Sequence, residues 1–175
     1  IWTPKGTVLK NSLKDFLQRE QLKRGYLPVD TPHIARIDLF KTSGHWQKYK
    51  EDMFPMMAED EQAEDLEQGF VLKPMNCPFH VQIYKNELRS YRELPIRLAE
   101  FGTVYRYEKS GELGGLTRVR GFTQDDSHLF VTPEQLDAEF LSVVDLTLFV
   151  FKNLQLHDFK ARLSFRDPNL DKYIG

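Results

Sequence analysis

Arg118, Arg120, Phe122, Gln124, Asp126 and His128 fall at every second position of one stretch. If that stretch is a strand, all six side chains point to one side of a sheet, because side chains alternate across a strand. Guanidinium groups offer paired donors to phosphate oxygens, and an aromatic ring offers a stacking surface. The amide, carboxylate and imidazole complete a wall suited to a phosphorylated, aromatic, amine-bearing ligand. Arg106 and Glu108, also two apart, share a face near the end of the preceding apolar stretch. Cys77 directly precedes Pro78, a residue favoured in the first turn of a helix. Its thiol is therefore expected beside a helix N-terminus, where the backbone dipole stabilises the thiolate, the form that binds zinc. His45 follows Ser43-Gly44 and carries the side chain whose ordinary pKa, about 6.5, suits general-base work near neutrality.

The elements that must position these groups are legible as patterns. Residues 98–107 have the β-branched and aromatic content of a paired strand, and residues 109–117, with Gly111, Gly114 and Gly115, form its connection to the second strand. A solvated hairpin with its charges in water is the plain alternative. The opposite row (Val119, Gly121, Thr123, Asp125, Ser127, Leu129) is no clean apolar stripe, so burial of one greasy face does not explain the pattern. Upstream, Leu9, Leu13, Phe16, Leu17 and Leu22 recur at helical spacing, which predicts an amphipathic helix over 7–25 closed by Gly25. A short strand over 26–31, a short helix over 34–42 stopped by Ser43-Gly44, a strand over 70–73 and a helix over 77–89 follow. Thr132-Pro133-Glu134-Gln135 opens another helix that runs to about residue 154 with a broad apolar face. Alternation over 159–165 predicts a last strand. The acidic run 59–68 holds no positive charge and reads as a solvated loop or short acidic helix. Helices and strands together predict an α+β fold built on an antiparallel sheet flanked by helices.

A chain of 175 residues that is 41% hydrophobic has the size of one domain and can bury a substantial core. The formal charge of −2 gives no global basic field, so any RNA contact must be local. The single cysteine rules out an internal disulfide and fits a reducing compartment. No apolar run approaches the roughly 20 residues that span a bilayer. These features predict a soluble, cytoplasmic protein without membrane contact. The chain begins at Ile1 without an initiator methionine, which predicts a piece of a longer protein.

The strand end Tyr-Arg106-Tyr-Glu108, the loop, and the return Arg118-Val-Arg-Gly-Phe122-Thr-Gln124-Asp-Asp126-Ser-His128 resemble motif 2 of class II aminoacyl-tRNA synthetases (about 97–130). With Lys73-Pro-Met75-Asn76-Cys77-Pro78 upstream, the resemblance narrows to the catalytic core of the threonyl-tRNA synthetase family and covers essentially the whole chain, 1–175. The helix, strand and proline over about 8–32 are similar to motif 1, which in this class builds a homodimer interface.

The resemblance implies an ATP-dependent activation of threonine followed by transfer to the acceptor end of tRNA(Thr), with Mg2+ accompanying ATP. It puts Arg106 on the α-phosphate, Glu108 near the adenine, Arg118 near the γ-phosphate and Phe122 on the base. Threonine would be met by Met75, Gln124 and Asp126. His45 is implied to face the tRNA terminus and to assist transfer to the ribose hydroxyl. From the residues alone, Cys77, His80 and His128 are a stereochemically open three-ligand zinc set. The resemblance instead pairs Cys77 and His128 with a further histidine expected beyond Gly175. Motif 3, an editing domain and an anticodon-binding domain are not found in the sequence, which implies an incomplete core with little or no activity by itself. Related class II enzymes for serine or proline, and a non-catalytic paralogue binding RNA or a protein partner, are the alternatives.

Overall fold

The computed structural model describes residues 1–58 and 69–164. They fall into two compact units that divide between Leu136 and Asp137. The acidic run 59–68 and the last residue of the expected final strand, Phe165, lie outside the described residues.

The first unit is α+β and carries two small sheets. It opens with α1, Pro4–Lys23, which starts three residues earlier than the apolar spacing predicts. Thr3 explains the early start, because its hydroxyl caps the helix by accepting from the Gly6 amide while Pro4 occupies the first turn. Gly25, at φ +78°, ends the helix in the left-handed conformation. β1, Tyr26–Pro28, then pairs in parallel with β5, Ile96–Tyr105, and β5 pairs antiparallel with β6, Gly121–Phe130, over ten registered positions from Ile96 opposite Phe130 to Tyr105 opposite Gly121. α1 lies on the side of Phe101, Thr103 and Asp125. Gln21 donates to the Asp125 carboxylate at 2.6 Å, and the Lys14 ammonium sits 4.9 Å from the Phe101 ring centre.

The second sheet has the order β2, β4, β3 and is antiparallel throughout, with β2 at Ile34–Arg36, β3 at Met57–Ala58 and β4 at Gly69–Leu72. The expected helix over 34–42 is therefore split. Its first three residues pair with Leu72, Val71 and Phe70, and only Ile37–Thr42 forms α2. Pairing with a neighbouring strand satisfies those backbone groups outright, which local helical spacing does not reveal. Gly44, at φ +75°, turns the chain into α3, His45–Tyr49. Ile37, Phe40, Met53, Val71 and Phe79 make the core above this sheet.

The join between the two sheets positions the site. After β4 the chain crosses onto β5, with the Tyr105 amide donating to the Lys73 carbonyl at 2.9 Å. It then passes the buried residues Pro74 and Asn76 and enters α4, Cys77–Lys85. Asn76 lies against Gly102 of β5, where a Cβ would fall 2.6 Å from the Asn76 Cγ. Only a residue without a side chain lets the crossing come this close.

In the second unit, α5, Leu136–Asn153, follows a 3-10 turn at Pro133–Gln135. Phe140 and Leu148 on its expected apolar face are exposed. The expected strand at 159–165 is not present over 159–164, where the backbone is irregular; the alternating residues there have no neighbouring strand to pair with among the described residues. Among the described residues no helix is long and apolar enough to cross a membrane.

Replacing Gly102 by alanine forces Asn76 off β5. The Gly102→Ala variant is expected to lose about 1 to 3 kcal/mol of unfolding free energy, read by urea denaturation. A change within 0.5 kcal/mol would mean that the crossing yields freely.

Candidate functional site

One face of β5 and β6 carries the groups that the sequence singles out. In register across the pair are Phe122 with Val104, Gln124 with Gly102, Asp126 with Glu100 and His128 with Leu98. Over this face lies the start of α4. Asn76 donates to Asp126 at 2.9 Å, and His80, one turn into the helix, lies with its Nδ1 2.8 Å from Nδ1 of His128. Cys77 sits between these two anchors at the first helical position, on the same side of the sheet as Asp126 and His128. Met75, half-buried, precedes it.

The expected stabilisation of the Cys77 thiolate is overturned. Burial pushes the thiol up and the Asp126 carboxylate pushes it further, outweighing the backbone donor at the helix start. His128 is shifted down, first by burial and also by His80, against the opposing pull of Asp126. In kind, cysteine and neutral imidazole are zinc ligands, and the Cys77 thiol would have to release its proton to bind the metal. Among the described residues no three of His, Cys, Asp and Glu form a group able to hold a metal, so the set Cys77, His80 and His128 is not assembled. His80 is instead committed to Glu100, its Nε2 3.0 Å from Oε1.

The row of six alternating residues is shorter than its spacing predicts. Arg118 and Arg120 precede β6, whose first residue is Gly121. The pairing does continue one step, the Arg106 amide donating to the Arg120 carbonyl at 2.9 Å. Arg120 then turns its Nε to the Glu108 carbonyl, and Arg118 donates to the Glu108 carboxylate at 2.8 Å. That ion pair raises the Arg118 pKa. Glycine at 114, 115 and 121 and the bond from the Gly114 amide to the Arg118 carbonyl close the loop before a regular ladder can extend. Arg106 lies over the Phe122 ring, 5.2 Å from its centre. Arg106, Glu108, Arg118 and Phe122 line a common cleft of about 870 Å³, with Lys10 and Lys14 of α1 on its wall. Its lining otherwise includes α1 and Phe101, Thr103, Thr123 and Asp125, the face of the pair turned away from Gln124, Asp126 and His128, so the candidate residues fall into two separate groups.

His45 stands apart from both groups in the contacts it makes. Its Nδ1 is 2.8 Å from the Ser43 hydroxyl and its ring packs edge-on to Phe40. Burial lowers its pKa, which keeps the imidazole neutral and able to accept a proton at neutral pH. His33, which the sequence leaves without a task, lies with its Nδ1 2.6 Å from the Tyr105 hydroxyl.

The comparisons with known proteins bear on this arrangement. Residues 57–173 match the family model described as tRNA synthetase class II core domain (G, H, P, S and T). The chain belongs to the class II tRNA synthetase core family. It is 82% identical over its whole length to a threonine–tRNA ligase of Thermosynechococcus vestitus, of which it covers 29%, and 58% identical to one of Thermus thermophilus, of which it covers 26%. A crystal structure described as the RNA binding domain of threonyl-tRNA synthetase from Cryptosporidium parvum Iowa II superposes with a TM-score of 0.81 at 47% identity, covering 88% of this chain and 37% of that one. The chain thus spans under a third of the length of the curated relatives it matches.

Sequence reasoning gave no role in the site to four residues that build this part of the class II core: Lys73 and Asn76, named only within a motif, and Glu100 and Gly102. Two signals were available. An isolated glycine within a β-branched strand marks a close backbone approach, and a carboxylate alternating with Leu98, Gly102 and Val104 must be buried with partners. Glu100 is 4% exposed. Burial alone would raise its pKa, but hydrogen bonds from His80 and Thr31 and the nearby Lys73 ammonium bring it below the ordinary value. A carboxyl with a depressed folded pKa contributes stability above its unfolded pKa, about 4.3, and loses it as pH falls through the folded value. Unfolding free energy, measured in urea between pH 6 and pH 3, is therefore expected to drop below about pH 4. In Glu100→Gln the acid limb should be shallower. An unchanged limb would assign the drop to other carboxylates.

Proposed function

We propose that this chain forms the threonine- and ATP-binding part of a threonine–tRNA ligase. The observation that carries the reading is the shared face on which Gln124, Asp126 and His128 meet the start of α4 at Cys77, with Arg106 over Phe122 and Arg118 paired to Glu108 at the loop end of the same strand pair. In the first step the threonine carboxylate attacks the α-phosphorus of ATP and the bond to the bridging oxygen breaks, giving threonyl-adenylate and pyrophosphate. Negative charge grows on the phosphate oxygens, which is where a guanidinium at Arg106 helps, with two parallel donors already held over a ring that can stack on adenine. Arg118, paired with Glu108 at the cleft, is within the same region for the outer phosphates, and Mg2+ would accompany ATP. In the second step a ribose hydroxyl of the tRNA end attacks the adenylate's carbonyl and AMP leaves, with His45 as proton acceptor.

Choosing threonine over valine requires reading a hydroxyl, since a greasy pocket separates near-isosteres only about a hundredfold. Asp126, fixed by the Asn76 amide, is the acceptor for that hydroxyl, and Gln124 meets the amino group. Cys77 and His128 would hold zinc, which when bound supplies a Lewis-acid centre for the amino group and hydroxyl. The exposed side chains Val8, Leu9 and Leu22 of α1 give an apolar surface for the homodimer contact implied by motif 1.

Pyrophosphate exchange with threonine, in a protein carrying this chain at the length of its relatives, tests the reading. Arg106→Ala should lower kcat by about a hundredfold to a thousandfold, and Asp126→Ala should narrow the preference for threonine over valine by at least tenfold. Exchange that depends on another amino acid, or that survives Arg106→Ala, would refute it. For the dimer, Leu9→Arg should shift sedimentation of the same protein towards the monomer; a variant that remains dimeric removes α1 from the contact.

A further inference from the structure

Glu100 is held by donors on every accessible side. The Thr31 amide donates to Oε2 at 3.2 Å, the Thr31 hydroxyl lies 2.9 and 3.1 Å from the two oxygens, and the Lys73 ammonium is 3.9 Å from Oε2. The remaining contact, at Oε1, is Nε2 of His80 at 3.0 Å. His80 is fully buried, and its other nitrogen, Nδ1, is 2.8 Å from Nδ1 of His128, the two rings meeting at 82°. Carboxylate, imidazole and imidazole thus form one chain of hydrogen bonds running from the middle of β5 through α4 to β6.

The direction of that chain follows from what each group can give. An ionised carboxylate has no proton to donate, so Nε2 of His80 must carry one. In a neutral ring the opposite nitrogen, Nδ1, is then a bare acceptor. The bond between the two rings requires one proton, and the only ring left to supply it is His128, from Nδ1. His128 is therefore held with its proton on Nδ1 and a lone pair on Nε2.

We propose that Glu100 and His80 are positioning residues that fix the tautomer of His128, so that Nε2 is always the nitrogen presented as a ligand. The use of that lone pair rests on the reading of His128 as a zinc ligand; the tautomer does not. The arrangement fixes a choice that water leaves open, because a free histidine ring populates both neutral tautomers and must give one up on binding.

The test reads the tautomer directly. In the whole chain with 15N-labelled histidine, two-bond nitrogen–proton correlation spectra are expected to show His128 protonated at Nδ1 and unprotonated at Nε2, without any metal present. Glu100→Gln reverses the chain with little change of shape. The Thr31 amide still requires an oxygen at the Oε2 position, so the new NH2 faces His80 and turns each donor into an acceptor. His128 should then appear protonated at Nε2.

A second pair of variants guards against misfolding. His80→Gln can donate to Glu100 and accept from His128, and should keep the His128 tautomer, whereas His80→Phe fills the space and should leave His128 a mixture of both. Zinc affinity, read by competition with a chromogenic chelator in the protein at the length of its relatives, should fall about tenfold to a hundredfold in Glu100→Gln and His80→Phe and recover in His80→Gln. Finding Nε2 protonated in the unsubstituted chain, or the same His128 tautomer in His80→Phe, overturns the proposal. Zinc binding absent from the unsubstituted protein while the tautomer is as stated removes the metal reading and leaves the positioning role standing.

Discussion

A single buried carboxylate constrains the architecture of the first unit. Glu100 sits in the middle of the longest strand pair, nearly without exposure, and an unpaired charge there would cost several kcal/mol in real proteins. Three separate pieces of chain meet that cost: Thr31 from the segment after β1, Lys73 from the end of β4, and His80 from α4. Each donor is useful only if its own segment is in place. Lys73 is itself buried, and that burial holds its pKa below the ordinary value against the opposing pull of Glu100, so each charge depends on the other. Removing one member of such a pair typically costs about 3 to 5 kcal/mol, more than the pair contributes over an apolar substitute. The cluster is therefore best understood as a device that specifies how β1, β4 and α4 join β5, and only secondarily as a source of stability.

That constraint also explains why the sequence yields some features and withholds others. The pairing of β5 with β6 was legible, though not its register or bounds, because alternation and β-branched content act locally. So was the helix beginning at Cys77, since proline after it marks the first turn. The splitting of residues 34–42 into strand and helix was not, because it depends on Phe70–Leu72 arriving alongside. Arg118 and Arg120 obeyed the alternating spacing yet fall before the strand, where glycines end the ladder. The sequence likewise suggested a thiolate at Cys77 from the helix dipole; the half-buried surroundings and the Asp126 charge outweigh that dipole. Glu100 was visible only as a charge on a strand, since what makes it informative is the burial supplied by three distant segments.

The candidate site divides along the same line between built and adaptable parts. Asp126 and His128 are held from behind by Asn76 and His80, both buried; Asn76 is packed against Gly102, and His80 cannot move without disturbing the cluster around Glu100. On the proposed reading, this would suit a pocket that tells a hydroxyl from a methyl, because discrimination of that kind depends on polar groups left unpaired by the wrong ligand. Arg118 belongs to the opposite regime. Its side chain is 55% exposed, and it pairs with the partly buried Glu108 and the exposed Glu112. Ion pairs in water contribute little and are exchanged easily for a phosphate oxygen.

A ligand that joins an amino acid to a nucleotide needs both regimes in one place. The amino-acid end demands fixed geometry, supplied by hydrogen bonds whose partners are themselves buried. The triphosphate end changes charge and position as pyrophosphate departs, and a rigid cage there would hold the product as tightly as the substrate. On the proposed reading, an exposed arginine such as Arg118, able to trade a carboxylate for a phosphate and back, would answer that need. Arg106 stands at the boundary, its amide locked into the ladder opposite Arg120 while its guanidinium rests on Phe122 in the cleft. It is thus anchored by its backbone to the rigid half and offers its charge to the adaptable one, which is where the α-phosphorus, the one atom that belongs to both ends of the reaction, would have to lie.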